Sequence, residues 1–246
     1  MIIEGNSVAE CWLKALQVMV DEKVSEISPV IMKIKVSDEE YVHKGELEND
    51  LNSFLEEIKQ PLIETTAGTI FPVSLSHGNS SVYERFGKVW KYAKKESKNR
   101  NGHYFRRLTS YGESYGESVN QLKHIIDTYN GIPGGRNPVH RRSALIATIF
   151  DPTLDHSAQP QRGFPCLQQV CFIPNNSSGT LSVNAIYAVQ YLSDRAYGNY
   201  IGLIRLGQFM AKQMGLKMVG LNCIVSVLGI GGMKKSQASK IVGKYL

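Results

Sequence analysis

A few side chains of this sequence combine a reactive type with a setting that could expose it. Cys166 follows Pro165 and opens the apolar run Leu167 to Pro174, so its thiol sits where a loop enters a strand. A thiolate is a strong nucleophile that can also be expelled again, which suits a covalent intermediate. Nearby cations would lower its pKa. Arg141 and Arg142 stand side by side at the start of another apolar segment. Guanidinium forks grip phosphate through paired, charge-assisted hydrogen bonds. Where the backbone is extended, at most one of two adjacent arginines points into a given pocket. Asn199 carries a donor and an acceptor and can read the edge of a heterocyclic base. Each has a plainer reading as well: a thiol buried in a strand, a pair of surface charges, and a helix N-cap beside Gly198.

The elements that must position these groups follow from periodicity. Ser7 to Glu10 fits a capping box with Glu10 reaching back. It opens a helix whose Trp12, Leu16 and Met19 share one face. Pro29 to Val36 alternates as a strand, and Glu46 to Ile58 is a second amphipathic helix stopped by Pro61. A basic helix starts near Val82, and Ser118 to Tyr129 forms another with Leu122, Ile125, Ile126 and Tyr129 inward. Ser143 to Phe150 is predicted as a strand broken by Asp151-Pro152, followed by a polar loop from His156 to Arg162. Leu167 to Pro174 and Leu181 to Tyr191 form a hairpin. Tyr200 to Met214 is a helix of broad hydrophobicity, suited to packing on several sides. Leu216 to Leu228 is a last long strand, and Ser236 to Val242 has a weak helical pattern. This mixture predicts an α/β (α+β) architecture, a large sheet with helices covering one face, in one domain spanning 1–246.

Composition bounds the rest. The chain has 246 residues, 42% hydrophobic, with a net charge of +6. Long uncharged apolar runs are missing, and the N-terminus reads as neither signal peptide nor membrane span; a cytoplasmic protein is the expectation. Cys11, Cys166, Cys171 and Cys223 show no CxxC pair, and the histidines no HExxH, so reduced thiols and no metal are expected. Basic residues concentrate between Arg85 and Arg107. Such a stretch can attract nucleic acid, although a solvated helix face is the simpler expectation.

The segment from about His140 to Lys217 resembles thymidylate synthase and its relatives, the deoxycytidylate and deoxyuridylate hydroxymethylases. The resemblance rests on Arg141-Arg142 before a strand, Pro165-Cys166 opening the next, Leu181-Ser182 beginning the following one, Asn199 ahead of a helix ending in Phe209-Met210-Ala211, and Gly215-Leu216 after it. Tyr111 to Tyr115 resembles the family's glycine-tyrosine loop. The resemblance implies a mixed sheet and a homodimer packed sheet against sheet, with the arginine pair reaching into the partner's active site. It implies methyl or hydroxymethyl transfer to C5 of a pyrimidine nucleotide from 5,10-methylenetetrahydrofolate. Cys166 would attack C6, Asn199 would face a uracil-type base, and Tyr115 would position a water or help remove the C5 proton. Gln168, on the Cys166 side by strand alternation, would line the pocket.

The sequence departs from that pattern at defined places. The family's Gln-Arg-Ser arginine is replaced by Ala188 within Tyr187-Ala188-Val189, and the folate-contacting aspartate by Tyr191. The His-x-Tyr pair for the sugar is absent from Leu221 to Ser226. The tryptophan-glutamate folate motif is not recognisable near 70–90. Arg195 or the basic helix would then supply the lost phosphate contacts. The alternative is a non-catalytic nucleotide-binding or structural homologue that keeps the fold and dimer.

Overall fold

Alternating burial along the long strands builds one mixed sheet in the computed structural model, which describes residues 1–36, 45–77, 81–96, 99, 101–113, 116, 118–158 and 164–246. The strands are β1 (Ile2–Gly5), β2 (Glu26–Ile27), β3 (Val30–Lys35), β4 (Ile146–Thr148), β5 (Leu167–Asn175), β6 (Thr180–Tyr191) and β7 (Lys217–Gly229). Their order is β1-β3-β7-β6-β5-β4, with β2 added beside β7. The β5–β6 pair is the antiparallel hairpin expected from the sequence, and β6 and β7 run parallel through a helical crossover.

Period-two patterning sends one set of side chains into the core. Val30, Met32, Ile34, Val183, Ala185, Tyr187, Leu221, Cys223 and Val225 are all buried. Their alternates, including Ile31, Asn184, Ile186, Asn222 and Ile224, point to the opposite face and stay partly exposed. The helices are α1 (Val8–Asp21), α2 (Glu46–Glu57), α3 (Ile63–Ile70), α4 (Val82–Ala93), α5 (Tyr104–Thr109), α6 (Gln121–Asn130), α7 (Pro152–Asp155), α8 (Tyr197–Gln213) and α9 (Lys235–Tyr245). They cover one face, and the buried apolar residues join in one cluster. Among the described residues no helix is long and apolar enough to cross a membrane.

Several local expectations change. Ser7 caps α1 by accepting from the Glu10 N–H at 3.1 Å. Glu10, however, reaches the Asn6 N–H at 2.7 Å rather than that of Ser7, and also pairs with Lys14. The strand expected over 143–150 is only Ile146–Thr148, because Arg142–Ala144 forms a tight helical turn instead. In the basic stretch, Arg106 pairs with Glu113 and Arg107 with Asp155. Lys88, Lys91, Lys94 and Lys95 are exposed on and just after α4, whereas Lys98 and Arg100 lie outside the described residues.

Helix α8 is buried over most of its circumference. It can lie this deep because Gly198 and Gly202, one turn apart, let α3 approach backbone to backbone. A Cβ on Gly202 would sit 2.7 Å from the Ala67 carbonyl oxygen, and one on Gly198 would sit 2.7 Å from that of Ile63. Neither oxygen can swing aside as a side chain would. We expect Gly202→Ala to destabilise by about 1–3 kcal/mol through overpacking, seen as a lower denaturation midpoint at unchanged m-value. Gly68→Ala on α3, where a Cβ meets nothing within 4 Å, should instead stabilise slightly through helix propensity.

Candidate functional site

Cys166 is half-buried at the mouth of β5, where Leu167 begins the strand. Its carbonyl accepts from the Ala188 N–H at 3.0 Å, which fixes the thiol-bearing residue beside the last third of β6. Ala188 is therefore next to Cys166 in space, and the side chain there is a methyl group. Gln168 does not follow the alternation expected of it. The β5–β6 register shifts between Leu167 and Gln169, so Gln168 is the extra residue of a bulge. Its amide folds back to donate to the carbonyls of Pro165 (3.0 Å) and Cys166 (3.2 Å). Gln168 thus tethers the Cys166 backbone, and Gln169 faces the open side of the sheet opposite Ile186.

Behind the thiol lies Tyr104, at the start of α5. The backbone amides of Leu167 and Cys166 are directed at its phenol, which burial holds well above the usual tyrosine value. The Tyr104 ring packs on Phe164 with centroids 5.1 Å apart. Phe164 also meets Arg107, whose guanidinium carbon lies 5.4 Å from the ring centroid. Gly102 allows this packing: a Cβ there would come within 2.3 Å of the Phe164 ring. Tyr187, fully buried on β6, adds a second phenol on this side.

The cation acting on the sulfur is Arg195. It comes from a wide π-type turn, Leu192–Ala196, that leads straight into α8. The turn is clamped by Trp12 Nε1–H donating to the Leu192 carbonyl (2.8 Å), and by the Gly232 N–H donating to Asp194 (2.8 Å). Arg195 Nη2 donates to Gln60 Oε1 at 3.0 Å. Burial pushes the Cys166 thiol up from its ordinary value, and the Arg195 charge pulls it back. The net direction is upward, so within one chain the thiol is not the pre-ionised group that the arginine pair was expected to create.

This sets a pH test. A raised thiol pKa leaves less thiolate at neutral pH, so alkylation by iodoacetamide should accelerate as pH climbs, with a midpoint above the ordinary value of about 8.5. Arg195→Gln removes a favourable charge and should move the midpoint further up. Rate-versus-pH curves in a Cys171→Ser background, where the other two cysteines are fully buried, measure both. An unmoved midpoint in Arg195→Gln would show that its charge does not reach the sulfur.

The other sequence-derived residues fall in different places. Asn199 is 5% exposed in the first turn of α8, close in sequence to Arg195. Its N-cap reading fails, because the chain is already helical before it and Ala196 has αR geometry. Arg141 and Arg142 are exposed ahead of β4. The nearby Leu145 accepts from the Phe172 N–H, six residues along β5 from Cys166. At about 3.3 Å per residue that is roughly 20 Å, so the structure does not bring the pair to the thiol within one chain. Tyr115 lies outside the described residues. The sequence signalled Arg195 but not Tyr104, Phe164 or Gln60; the Tyr104-Phe105 step before two arginines was the only hint of α5.

Among the described residues, the cavity touching Arg195 is small, about 10 Å³ between α2, α3 and the start of α8. That is room for about one water. No cluster of three or more His, Cys, Asp or Glu side chains able to hold a metal occurs among the described residues.

These observations define a mixed α/β protein with a strand-opening thiol under an arginine at the head of a buried helix. No protein-family model matches the chain. It is 29% identical over 174 residues to a Methanocaldococcus jannaschii protein named "Putative thymidylate synthase", covering 69% of this chain and 72% of that one.

Proposed function

We propose that this chain is a divergent relative of thymidylate synthase that adds Cys166 to C6 of a uracil-type pyrimidine nucleotide, activating C5 for transfer of a methyl or hydroxymethyl unit. The observation that carries the reading is the partly accessible Cys166 thiol at the mouth of β5 with the Arg195 guanidinium acting on it. The name of the Methanocaldococcus jannaschii protein supports the same class.

The sulfur forms a bond to C6, and the C5–C6 electron pair shifts toward C5 and the C4 carbonyl, giving an enolate. C5 then takes an electrophile, loses its original proton, and expels the thiolate to restore the double bond. Arg195 favours the thiolate at both ends of this cycle and is the proposed substitute for the guanidinium missing at Ala188. Asn199, in the first turn of α8, is the group offered to the base edge. Tyr115 is the proposed acceptor of the C5 proton. The partly apolar open face of the sheet, with Ile31, Ile186 and Ile224, is the surface on which a second copy would pack. That dimer would carry Arg141 and Arg142 of one protomer toward Cys166 of the other.

The residues present do not fit folate well. Tyr191, at the position of the family's folate-contacting aspartate, is 44% exposed and offers no carboxylate. The thiol addition to C6 needs no 5,10-methylenetetrahydrofolate and stands apart from the choice of one-carbon donor.

The deciding experiment needs no donor. Thiol addition makes C5 exchange its hydrogen with solvent, so uridine nucleotides in D₂O should lose the C5–H signal by proton NMR when the protein is present. Nucleoside, mono- and triphosphate forms should be compared. The raised thiol and the small cavity beside Arg195 favour a second reading, nucleotide binding without catalysis. That reading is selected by saturable nucleotide binding with no exchange in any form, which would overturn the enzyme.

A further inference from the structure

The basic stretch around α4 contains two kinds of cation. Among the described residues its arginines are engaged. Arg85 donates to the Leu75 carbonyl at 2.6 Å, Arg106 pairs with Glu113 and Arg107 with Asp155. Lys88, Lys91, Lys94 and Lys95 are exposed and form no ion pair among the described residues. Glu84 and Glu96 are the carboxylates of the same run, and neither is paired with these lysines. Four lysines against two carboxylates leave α4 and the turn after it with a positive excess.

An aromatic ring lies among these charges. Tyr92 is 75% exposed, more than any other large apolar side chain among the described residues. The apolar side of α4 is already taken, because Val82 and Phe86 enter the core and the Trp90 ring stacks on Phe86. Arg106 lies 5.9 Å from the centroid of that Trp90 ring. Tyr92 is therefore left facing water. Helical spacing puts Lys88 one turn before it and Lys95 one turn after, with Lys91 one turn from both. Lys94 falls on the far side of the helix. An open groove of about 470 Å³ runs beside the ring, lined by Lys88, Val89, Tyr92, Ala93 and Glu96. That is room for a nucleobase, and Glu96 can accept from a base amino group such as adenine N6.

We propose that this face of α4 binds single-stranded nucleic acid without reading its sequence. A base stacks on Tyr92 beside Val89, and Lys88, Lys91 and Lys95 hold the phosphates on either side of it. Stacking tolerates any base, and lysine meets phosphate as a point charge. A membrane surface suits the face less well, since insertion needs a broad apolar side and only Val89 and Tyr92 are offered. An acidic helix would likewise find one turn of apolar contact instead of the several anchors it uses in a groove. The inference is independent of the Cys166 chemistry.

Fluorescence anisotropy of the full chain with a labelled oligodeoxyadenylate, about a dozen nucleotides long, tests it. Adenine keeps the probe distinct from the uracil-type base proposed for Cys166. The expected result is saturable binding with a Kd of about 10⁻⁶–10⁻⁴ M. Three phosphate contacts on a single strand give a slope of about −2 for log affinity against log salt. Tyr92→Ala should weaken binding by about tenfold at an unchanged melting temperature, and Tyr92→Phe should retain it. The double change Lys88→Gln with Lys95→Gln should bring the slope to about −0.7. Lys240→Gln, at an exposed position on α9, should change nothing. The proposal is overturned if no saturable binding occurs at low salt, or if Tyr92→Ala binds as well as the native chain. Equal losses in Lys240→Gln and Lys88→Gln would overturn it too, by showing diffuse attraction to a basic protein. So would polyglutamate or phosphatidylserine vesicles bound as tightly as the oligonucleotide with the same dependence on Tyr92, which would assign the face to an acidic protein or a membrane.

Discussion

Cys166→Ala is expected to abolish C5 hydrogen exchange, a loss of at least about 10³-fold, while nucleotide affinity changes little. The reasoning rests on what each partner loses. Without sulfur there is no atom to bond C6, and no comparable nucleophile stands in its place: Cys171 lies five residues farther along β5, roughly 16 Å at the usual strand rise, and Tyr104 and Tyr187 are phenols that burial keeps protonated. The contacts proposed for the base and phosphate would be made by other side chains and would survive the substitution. Because Cys166 is only half-buried, trimming it to alanine opens no large cavity, and unfolding should be close to that of the native chain. A second measurement reaches the covalent bond directly. Fluorine at C5 draws electrons from the C5–C6 bond and favours thiol addition, so a 5-fluoropyrimidine nucleotide without any folate should give a Cys166–C6 adduct visible by intact-protein mass under native conditions. Cys166→Ala should show none. If native protein gives no adduct and no exchange across mono- and higher phosphates, the thiol is structural.

Much of the framework that holds Cys166 could be read from local pattern, because local pattern is what specifies strands and amphipathic helices. The alternation from Leu167 to Pro174 and from Leu181 to Tyr191 gives β5, β6 and their hairpin, and the broad hydrophobicity of Tyr200 to Met214 gives a central helix. What failed was decided by contacts between residues far apart in sequence. The Gln168 bulge breaks alternation at the one place where alternation was used to choose a pocket residue, and a bulge is set by the partner strand's register. Helix α3 escaped notice because Ile63–Ile70 is short and weakly amphipathic; it is stabilised by the glycines of α8, more than a hundred residues later. Arg141 and Arg142 sit near the end of β5 remote from Cys166, so their reading depends on a second protomer, which sequence adjacency cannot supply. Arg195, in contrast, was signalled as a substitute cation simply because Ala188 had lost its charge. The π-type turn is what places that charge where it acts electrostatically on the thiol.

The brace behind the site should be as sensitive as the nucleophile, but in stability. Asp155, with a side chain 0% exposed, takes two hydrogen bonds from Arg107 at 3.0 and 3.1 Å and one from the Asp151 N–H at 2.8 Å. Arg107 also donates to the Ile149 carbonyl and lies over Phe164, two residues before Cys166. Asp155→Ala leaves a guanidinium that is 12% exposed without its counter-charge. Removing one member of such a pair costs about 3–5 kcal/mol, because the remaining charge stays desolvated. At about 2–4 °C per kcal/mol for a chain of this size, the melting temperature should fall by about 10 °C. The double replacement Arg107→Met with Asp155→Leu removes both charges and should recover most of that loss. It should not restore alkylation of Cys166 to its native rate, because methionine cannot hold the Phe164 ring through its charge. Equal melting temperatures for Asp155→Ala and the native chain would show that water solvates Arg107 and that the Phe164 segment is held by packing alone.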